Sequence, residues 1–197
     1  MTGAEEVPRV HPESRAEWRQ WLSDNHASRG AVWFVFWRKA SGNQAVDYED
    51  AVSEALAFGW IDSRPAKLDE HRSMLYFSVR KRGSAWSRPN KQRVERLRHD
   101  GLMTPLGEAA IAAAVQDCSW SRLDEVEDLV EPMDLVQAFV GFPGSRAHWD
   151  AFPPSARRGI LEWIVQAKTP TTRLKRVHQT AELAARNERA NQWRPKN

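Results

Sequence analysis

The sequence predicts an α+β fold: a small, mainly antiparallel sheet packed with helices in the N-terminal half, and a helical C-terminal part. Three observations carry this. The run "AVWFVFW" from Ala31 to Trp37 is unbroken apolar and aromatic but too short for a helix, so it reads as a strand covered on both faces. Residues 60–64 and 73–79 read as two further short strands. From Asn90 onward, apolar residues recur at the helical interval instead of the alternating one.

Each element has a local reason. Ser14 and Glu17 stand at capping-box spacing, and Trp18, Trp21 and Leu22 then share one face of a first helix ending near Asn25. Along the first strand, Val32, Phe34 and Phe36 point to one side and Trp33, Val35 and Trp37 to the other. The strand is expected to be central, flanked by those at Trp60 and Ser73, with Trp33 and Phe34 both buried. Asp47 caps a second helix with the stripe Ala51, Val52, Ala55, Leu56 and Phe58, and Gly59 sits at a left-handed stop. "PAKLDEHR" reads as a turn or loop.

Residues 90–99 form an amphipathic helix with Val94 and Leu97 inward and Lys91, Arg93, Arg96 and Arg98 outward. Thr104–Pro105 and Thr169–Pro170 are helix starts, a hydroxyl cap followed by a first-turn ring. Pro132 opens a helix through Phe139. Residues 155–167 and 171–186 are expected to pair antiparallel through Ile160, Ile164, Leu174 and Val177. The expected division is an α+β domain over 1–103, a helical, acidic connector over 104–131 and a helical domain over 132–197, with loose ends before about Glu13 and after Asn191.

Charge and cysteine usage limit the classes. The single Cys118 excludes an internal disulfide and a paired-thiol metal site, which suits a reducing cytoplasm. The start "MTGAEEVPRVHPE" has no basic-then-apolar leader, and no segment reaches the roughly 18 apolar residues of a membrane span. A soluble cytoplasmic protein without membrane insertion is expected. Net charge runs −4, +8, −8 and +7 over residues 1–63, 64–98, 99–155 and 156–197, a pattern that favours blocks pairing with one another.

No glycine-rich phosphate loop, nucleophile elbow or zinc-protease signature occurs, and the histidines at 11, 26, 71, 99, 148 and 178 never fall at ligand spacing, so neither metal nor cofactor is expected. Attention falls on residues 58–87. Asp62, at a strand end, could meet Glu70 and His71 across the hairpin mouth as an acid–base pair, or instead pair with Arg64 or Arg72. Arg80, Lys81, Arg82, Arg88, Lys91 and Arg93 surround Trp86, which suits a phosphate ligand or a stacked base, against a tryptophan packed under arginine stems. Trp18, Trp21, Trp33, Trp37 and Trp163 read as core; Trp60, Trp86, Trp120, Trp149 and Trp193, at element ends, read as pocket-lining.

"EALAFGWIDS", "SAWSRPNKQRVERLRHDGLMTPLG" and "PPSARRGILEWIVQAKTPTTRLKRVHQTAELAARNERANQW" resemble the bacterial YdeI/OmpD-associated (bacteriocin-protection) family, over residues 14–192. The resemblance implies a cytosolic protein linked to bacteriocin protection and the envelope stress response, with no catalytic residue or cofactor to carry over. Members often have cysteine where Ala57 stands, and Thr-Pro-Arg where Ser78, Val79 and Arg80 stand; only Arg80 of that motif is kept. The favoured role is binding, by an anion-facing cluster of Arg80, Trp86, Ser87, Asn90 and Lys91, with Trp60 and Asp62 beside it. The partner is a small anionic molecule or a protein, with nucleic acid ranked behind. The alternatives are a metal-independent enzyme acting on a small anionic substrate through Asp62 or His71, and a nucleic-acid binder.

Overall fold

The computed structural model describes residues 7–38, 41–43 and 46–192. The chain divides into two compact units, Met1–Ser84 with Pro89–Trp120, and Ala85–Arg88 with Ser121–Asn197. The fold is α+β, with the sheet in the first unit and helices alone in the second. Among the described residues no helix is long and apolar enough to cross a membrane.

The first unit contains β1 (Arg9–Val10), α1 (Arg15–Asn25), β2 (Ala31–Trp37), α2 (Tyr48–Ala57), β3 (Trp60–Lys67), β4 (Arg72–Val79), α3 (Arg88–His99, of which Pro89 onward belongs here) and α4 (Pro105–Gln116). The sheet order is β1-β2-β4-β3, with β1 parallel to β2 and the other pairs antiparallel. β2 therefore lies between β1 and β4, and the expectation that the Trp60 strand flanks it is wrong: β3 and β4 form a hairpin, the shortest connection, which puts β3 at the edge. The expected loose start fails at residues 8–10, where Trp33 N–H donates to Pro8 O at 2.9 Å and β1 adds a strand.

The caps form as the sequence spacing implies. Ser14 Oγ accepts from Glu17 N at 3.2 Å, while Glu17 reaches back to Glu13 N at 2.9 Å, one residue before the usual capping-box partner. Asp47 accepts from Glu49 N at 3.0 Å. α2 ends at Gly59, whose φ of +75° is the left-handed stop. Trp18 is the pivot of the core: it packs edge-on to Phe34 at 4.9 Å, lies 5.5 Å from Phe77, and donates through Nε1 to Ala51 O at 3.0 Å. α1, α2 and the Phe34 face of the sheet are thereby held together. Trp33, on the opposite face, is half-buried and not buried as expected; what lies against it is Tyr76 and the Arg64 guanidinium.

The second unit contains α5 (Asp124–Glu127), α6 (Met133–Val140), α7 (Ser145–Ala151), α8 (Pro154–Val165) and α9 (Pro170–Ala185) around a core that includes Leu135, Trp149, Ile160, Ile164, Val177 and Ala181. Thr169 occupies the N-cap position the sequence assigned it, and Pro132, expected to open α6, stands just before it as the N-cap residue. α7 has no counterpart in the sequence reading. α8 and α9 pack through Ile160, Ile164 and Val177, but Leu174 is 69% exposed, so its place in that interface is a misassignment. A true i, i+3 partner of buried Val177 is Thr180, also buried.

The indoles correct the sequence reading most. Of the five assigned to the core only Trp18 is fully buried, whereas Trp60, Trp86 and Trp149, assigned to pockets, are each at most 1% exposed; Trp193 lies outside the described residues. Trp149 Nε1 donates to Glu131 at 2.8 Å, which lets the polar edge of a core indole stay satisfied.

Two substitutions in the second unit separate core from surface. Ile164→Asp should cost several kcal/mol, about 3–5, by burying a charge, while Leu174→Asp should change stability by about 0.5 kcal/mol or less. Denaturant melts of both variants check this; comparable losses would contradict the α8–α9 packing. In the first unit a Cβ on Gly107 would stand 2.5 Å from Ala57 O, so Gly107→Ala should destabilise although alanine is the better helix former by about 1 kcal/mol. A raised melting temperature for that variant would show that α4 does not approach α2 this closely.

Candidate functional site

The first turn of α2 gathers side chains from three elements, its own together with Asp62 from β3 and Arg93 and Arg96 from α3. With Asp47 used as the cap, Tyr48 and Glu49 are the next two residues and project from the helix start. Tyr48 hydroxyl donates to Asp62 Oδ2 at 3.0 Å. Asp62 stands in β3 opposite Phe77, directly before the irregularity between Asp62 and Pro65, so its side chain is on the helix side of the sheet. Glu49 takes a two-pronged bond from Arg93, at 3.0 and 2.6 Å, and one from Arg96 at 2.5 Å. Arg93 Nη1 also donates to buried Asn90 at 2.8 Å, and its guanidinium lies 5.9 Å from the Tyr48 ring.

The electrostatics follow from these contacts. The Arg93 hydrogen bond holds the Glu49 carboxyl below its ordinary value, while burial and then the Asp62 charge push the Tyr48 phenol up. Burial is the first influence on Arg93 and opposes its charge, yet the bonds and field of Glu49 outweigh it and the guanidinium is held more firmly protonated. Arg80 behaves oppositely. It is only 9% exposed, its N–H donates to Gly59 O at 3.0 Å, its Nη1 donates weakly to Ser84 O at 3.4 Å, and burial pushes its pKa down to about 10 against the field of Asp62.

The sequence-derived residues are thus only partly assembled into one place. Asp62, Arg80 and Asn90 are tied to the Tyr48–Arg93 cluster by bonds or by charge. Lys91 instead lies over Trp120 with its ammonium 5.2 Å from the ring, and Trp60 is core, meeting Trp21 edge-on at 6.2 Å. Trp86 and Ser87 belong to the second unit, where Trp86 is buried and Ser87 directly precedes the first residue of α3.

Asp62 and His71 do not meet. His71 is at the exposed hairpin tip, six residues from Asp62's partner Phe77, or about 20 Å along the strand, so the proposed acid–base pair is wrong. Nor does Asp62 bond Arg72, which binds Asp69 through Nε at 2.8 Å, or Arg64, which lies on the other face. Sequence reasoning missed Tyr48 and Glu49, and it set Arg93 beside Trp86 instead of Glu49. The Asp47 cap was a usable signal for the first two, since it fixes which residues open α2; nothing local in sequence places Arg93 beside them.

A groove of about 850 Å³ adjoins the cluster on the other side of Tyr48, with Phe36, Trp37, Arg38, Asn43 and Ser73 among its walls, and an apolar cleft of about 30 Å³ between Phe34, Val46 and Leu75 opens beside it. No group of three or more His, Cys, Asp or Glu residues close enough to hold a metal ion occurs among the described residues. His148 is fixed on α7 by its Nδ1–H, which donates to Ala184 O at 2.9 Å.

An α+β unit with a tyrosine–carboxylate–arginine cluster at one helix start, joined in sequence to a helical unit, defines a two-unit α+β protein. The chain belongs to the family described as Domain of unknown function (DUF8412), whose model matches residues 10–110, and it carries a "Bacteriocin-protection, YdeI or OmpD-Associated" (OmdA) domain at residues 128–187. The resemblance read from three motifs is therefore upheld, through the third of them; the first two lie within the other match. No curated protein and no solved structure matches the chain.

The cluster makes a spectroscopic prediction. Tyr48 is one of two tyrosines, and its phenol is held above the ordinary value of 10.0. Tyr48→Phe should remove a phenolate transition lying above 10.0 from the titration seen by ultraviolet absorbance. An unchanged curve in the variant would mean that the Tyr48–Asp62 bond does not form.

Proposed function

We propose that this chain is a cytoplasmic bacterial binding protein of the YdeI/OmpD-associated class, acting in bacteriocin or envelope-stress protection, and that its N-terminal unit takes a small anionic ligand beside Arg80. The observation that carries the reading is the buried Arg80 guanidinium, whose pKa is lowered to about 10 by desolvation with Asp62 as the opposing charge. A guanidinium in low dielectric gains strongly from a further negative charge, and its planar fork matches two oxygens of a phosphate, sulfate or carboxylate. Asn90 supplies an amide in the same cluster, and the Tyr48 hydroxyl, by donating to Asp62, engages one oxygen of the carboxylate that faces Arg80.

The groove beside Tyr48 supports a second reading, a metal-independent enzyme for a small anionic substrate. Its motivating contact is the Tyr48–Asp62 hydrogen bond: a phenol held protonated beside a carboxylate can donate to a developing oxyanion. Mass spectrometry of a ligand incubated with the protein separates the two, since a binder returns it unchanged.

The burial of Arg80 changes what its removal should do. It cannot be neutral for the fold, because Asp62 would lose the positive charge facing it. Thermal shift with inorganic phosphate, sulfate and phosphorylated sugars, on wild type and on Arg80→Met, reads ligand-dependent stabilisation apart from basal stability. At least one anion should stabilise the wild type, and Arg80→Met should weaken its binding about tenfold or more, as loss of a charge-assisted bond of about 1.5–3 kcal/mol requires. If no anion stabilises the wild type, or the variant keeps the same shift, the anion site is not at Arg80.

A further inference from the structure

We propose that the sheet face bearing Trp33 and Tyr76 is a stacking platform for single-stranded nucleic acid. The β2–β4 register sets Trp33 opposite Tyr76, Val35 opposite Met74 and Trp37 opposite Arg72 on one face, while Phe34 and Phe77 on the other face are taken by Trp18 of α1. Trp33 and Tyr76 meet edge-on with centroids 5.0 Å apart, and the exposed Arg64 holds its guanidinium 4.7 Å from the tyrosine ring and 5.3 Å from the indole. At the far end Trp37 carries Arg72 at 5.7 Å and His11 at 5.0 Å. All three rings are half-buried, with part of each surface open.

Charge and spacing identify the occupant. Strand positions on this face include Arg9, in register with Trp33, as well as Arg64 and Arg72, and no carboxylate; Asp62 registers with Phe77 on the helix side. Asp69, in the hairpin turn, is bound to Arg72. The face is therefore aromatic and cationic at once, which is the combination that holds a strand of nucleotides: bases stack on rings or on guanidinium planes, and phosphates meet the arginines. Trp37 is four positions along β2 from Trp33, about 13 Å, so the rings are successive stations along one line rather than a single cage. A duplex keeps its base faces inside and cannot use them.

Fluorescence anisotropy with labelled oligo-U and oligo-dT of about twelve nucleotides, a duplex of the same length, and heparin as competitor tests this. The single strands should bind with affinity falling as salt rises, the duplex should bind about tenfold more weakly, and Arg64→Ala and Tyr76→Ala should each weaken binding about fivefold or more. Arg64→Lys, which keeps charge but not the planar surface, should fall between Arg64→Ala and wild type, and Lys175→Ala on α9 should change nothing. Thermal melts confirm that each variant is folded; should Tyr76→Ala not fold, the exposed Arg64 decides the matter. Absence of single-strand binding, equal binding of the duplex, or an affinity unchanged by Arg64→Ala would overturn the proposal.

Discussion

The N-terminal unit is organised around a carboxylate that cannot be left alone. Glu54, in the middle of α2, is 1% exposed and is gripped by Arg15 at 2.5 Å and Arg19 at 2.6 Å, both from α1. A buried charge stripped of its partners costs about 3–5 kcal/mol, so α1 must lie where those two arginines reach it. Arg19 continues to Leu102 O at 2.9 Å and Arg15 to Asp50 at 2.9 Å, which ties the α3–α4 turn and the start of α2 to the same pair. Every residue from Ala51 to Trp60 is buried as a result. α4 completes the enclosure: Ala57 O receives Thr104 Oγ1–H at 2.5 Å and Thr104 N–H at 3.2 Å, and glycine at 107 lets the helix come this near. With α2 fixed from three directions, its first turn is a rigid place on which to hold Tyr48 and Glu49.

The charge blocks of the sequence resolve as pairs within each unit. In the first, Arg93 and Arg96 meet Glu49 and Arg98 meets Glu108; in the second, Arg88 meets Asp128, Arg158 meets Glu127, and Arg173 meets Asp134. Five of the eleven basic residues at 64–98, Arg72, Arg88, Arg93, Arg96 and Arg98, are thus engaged by carboxylates, which weakens a reading of the whole block as one polyanion surface. Individual placements then matter more than totals: Arg80 is buried, and Arg64 lies over rings on the outer sheet face.

Local chemistry made much of the fold legible. Caps at Ser14, Asp47, Thr104 and Thr169, the glycine stop after α2 and the apolar run of β2 depend on neighbours in sequence, and each is where the residues imply. Strand order, the burial of individual indoles and the place of Leu174 depend on what arrives from elsewhere. Trp60 follows a glycine stop and so looked like an element end, but the turn that makes it terminal in sequence also swings it under α1, against Trp21. Helix α7 escaped notice because its seven residues are too few to show a period, and its anchor, the Trp149 bond to Glu131, spans a loop. Of the candidate site, Asp62, Arg80 and Asn90 were found by residue type and proximity in sequence, whereas Tyr48, Glu49 and Arg93 required the β3–β4 hairpin to carry Asp62 back to the start of α2.

Arg80 and Arg93 show how one residue type serves opposite ends in one unit. Arg93 faces Glu49 at bonding distance, so the pair is self-contained: the carboxyl is pulled down, the guanidinium is held charged, and a ligand would have to break a two-pronged bond to engage either. Arg80 is buried more deeply, and its nearest named counter-charge, Asp62, acts through its field while its oxygen is occupied by Tyr48. The same desolvation that makes such an arrangement costly for stability raises the free energy gained when an anion arrives, because the interaction develops in low dielectric rather than in water. Burial and the field of Asp62 thus act on Arg80 in opposite directions, whereas for Arg93 the bonds from Glu49 outweigh burial.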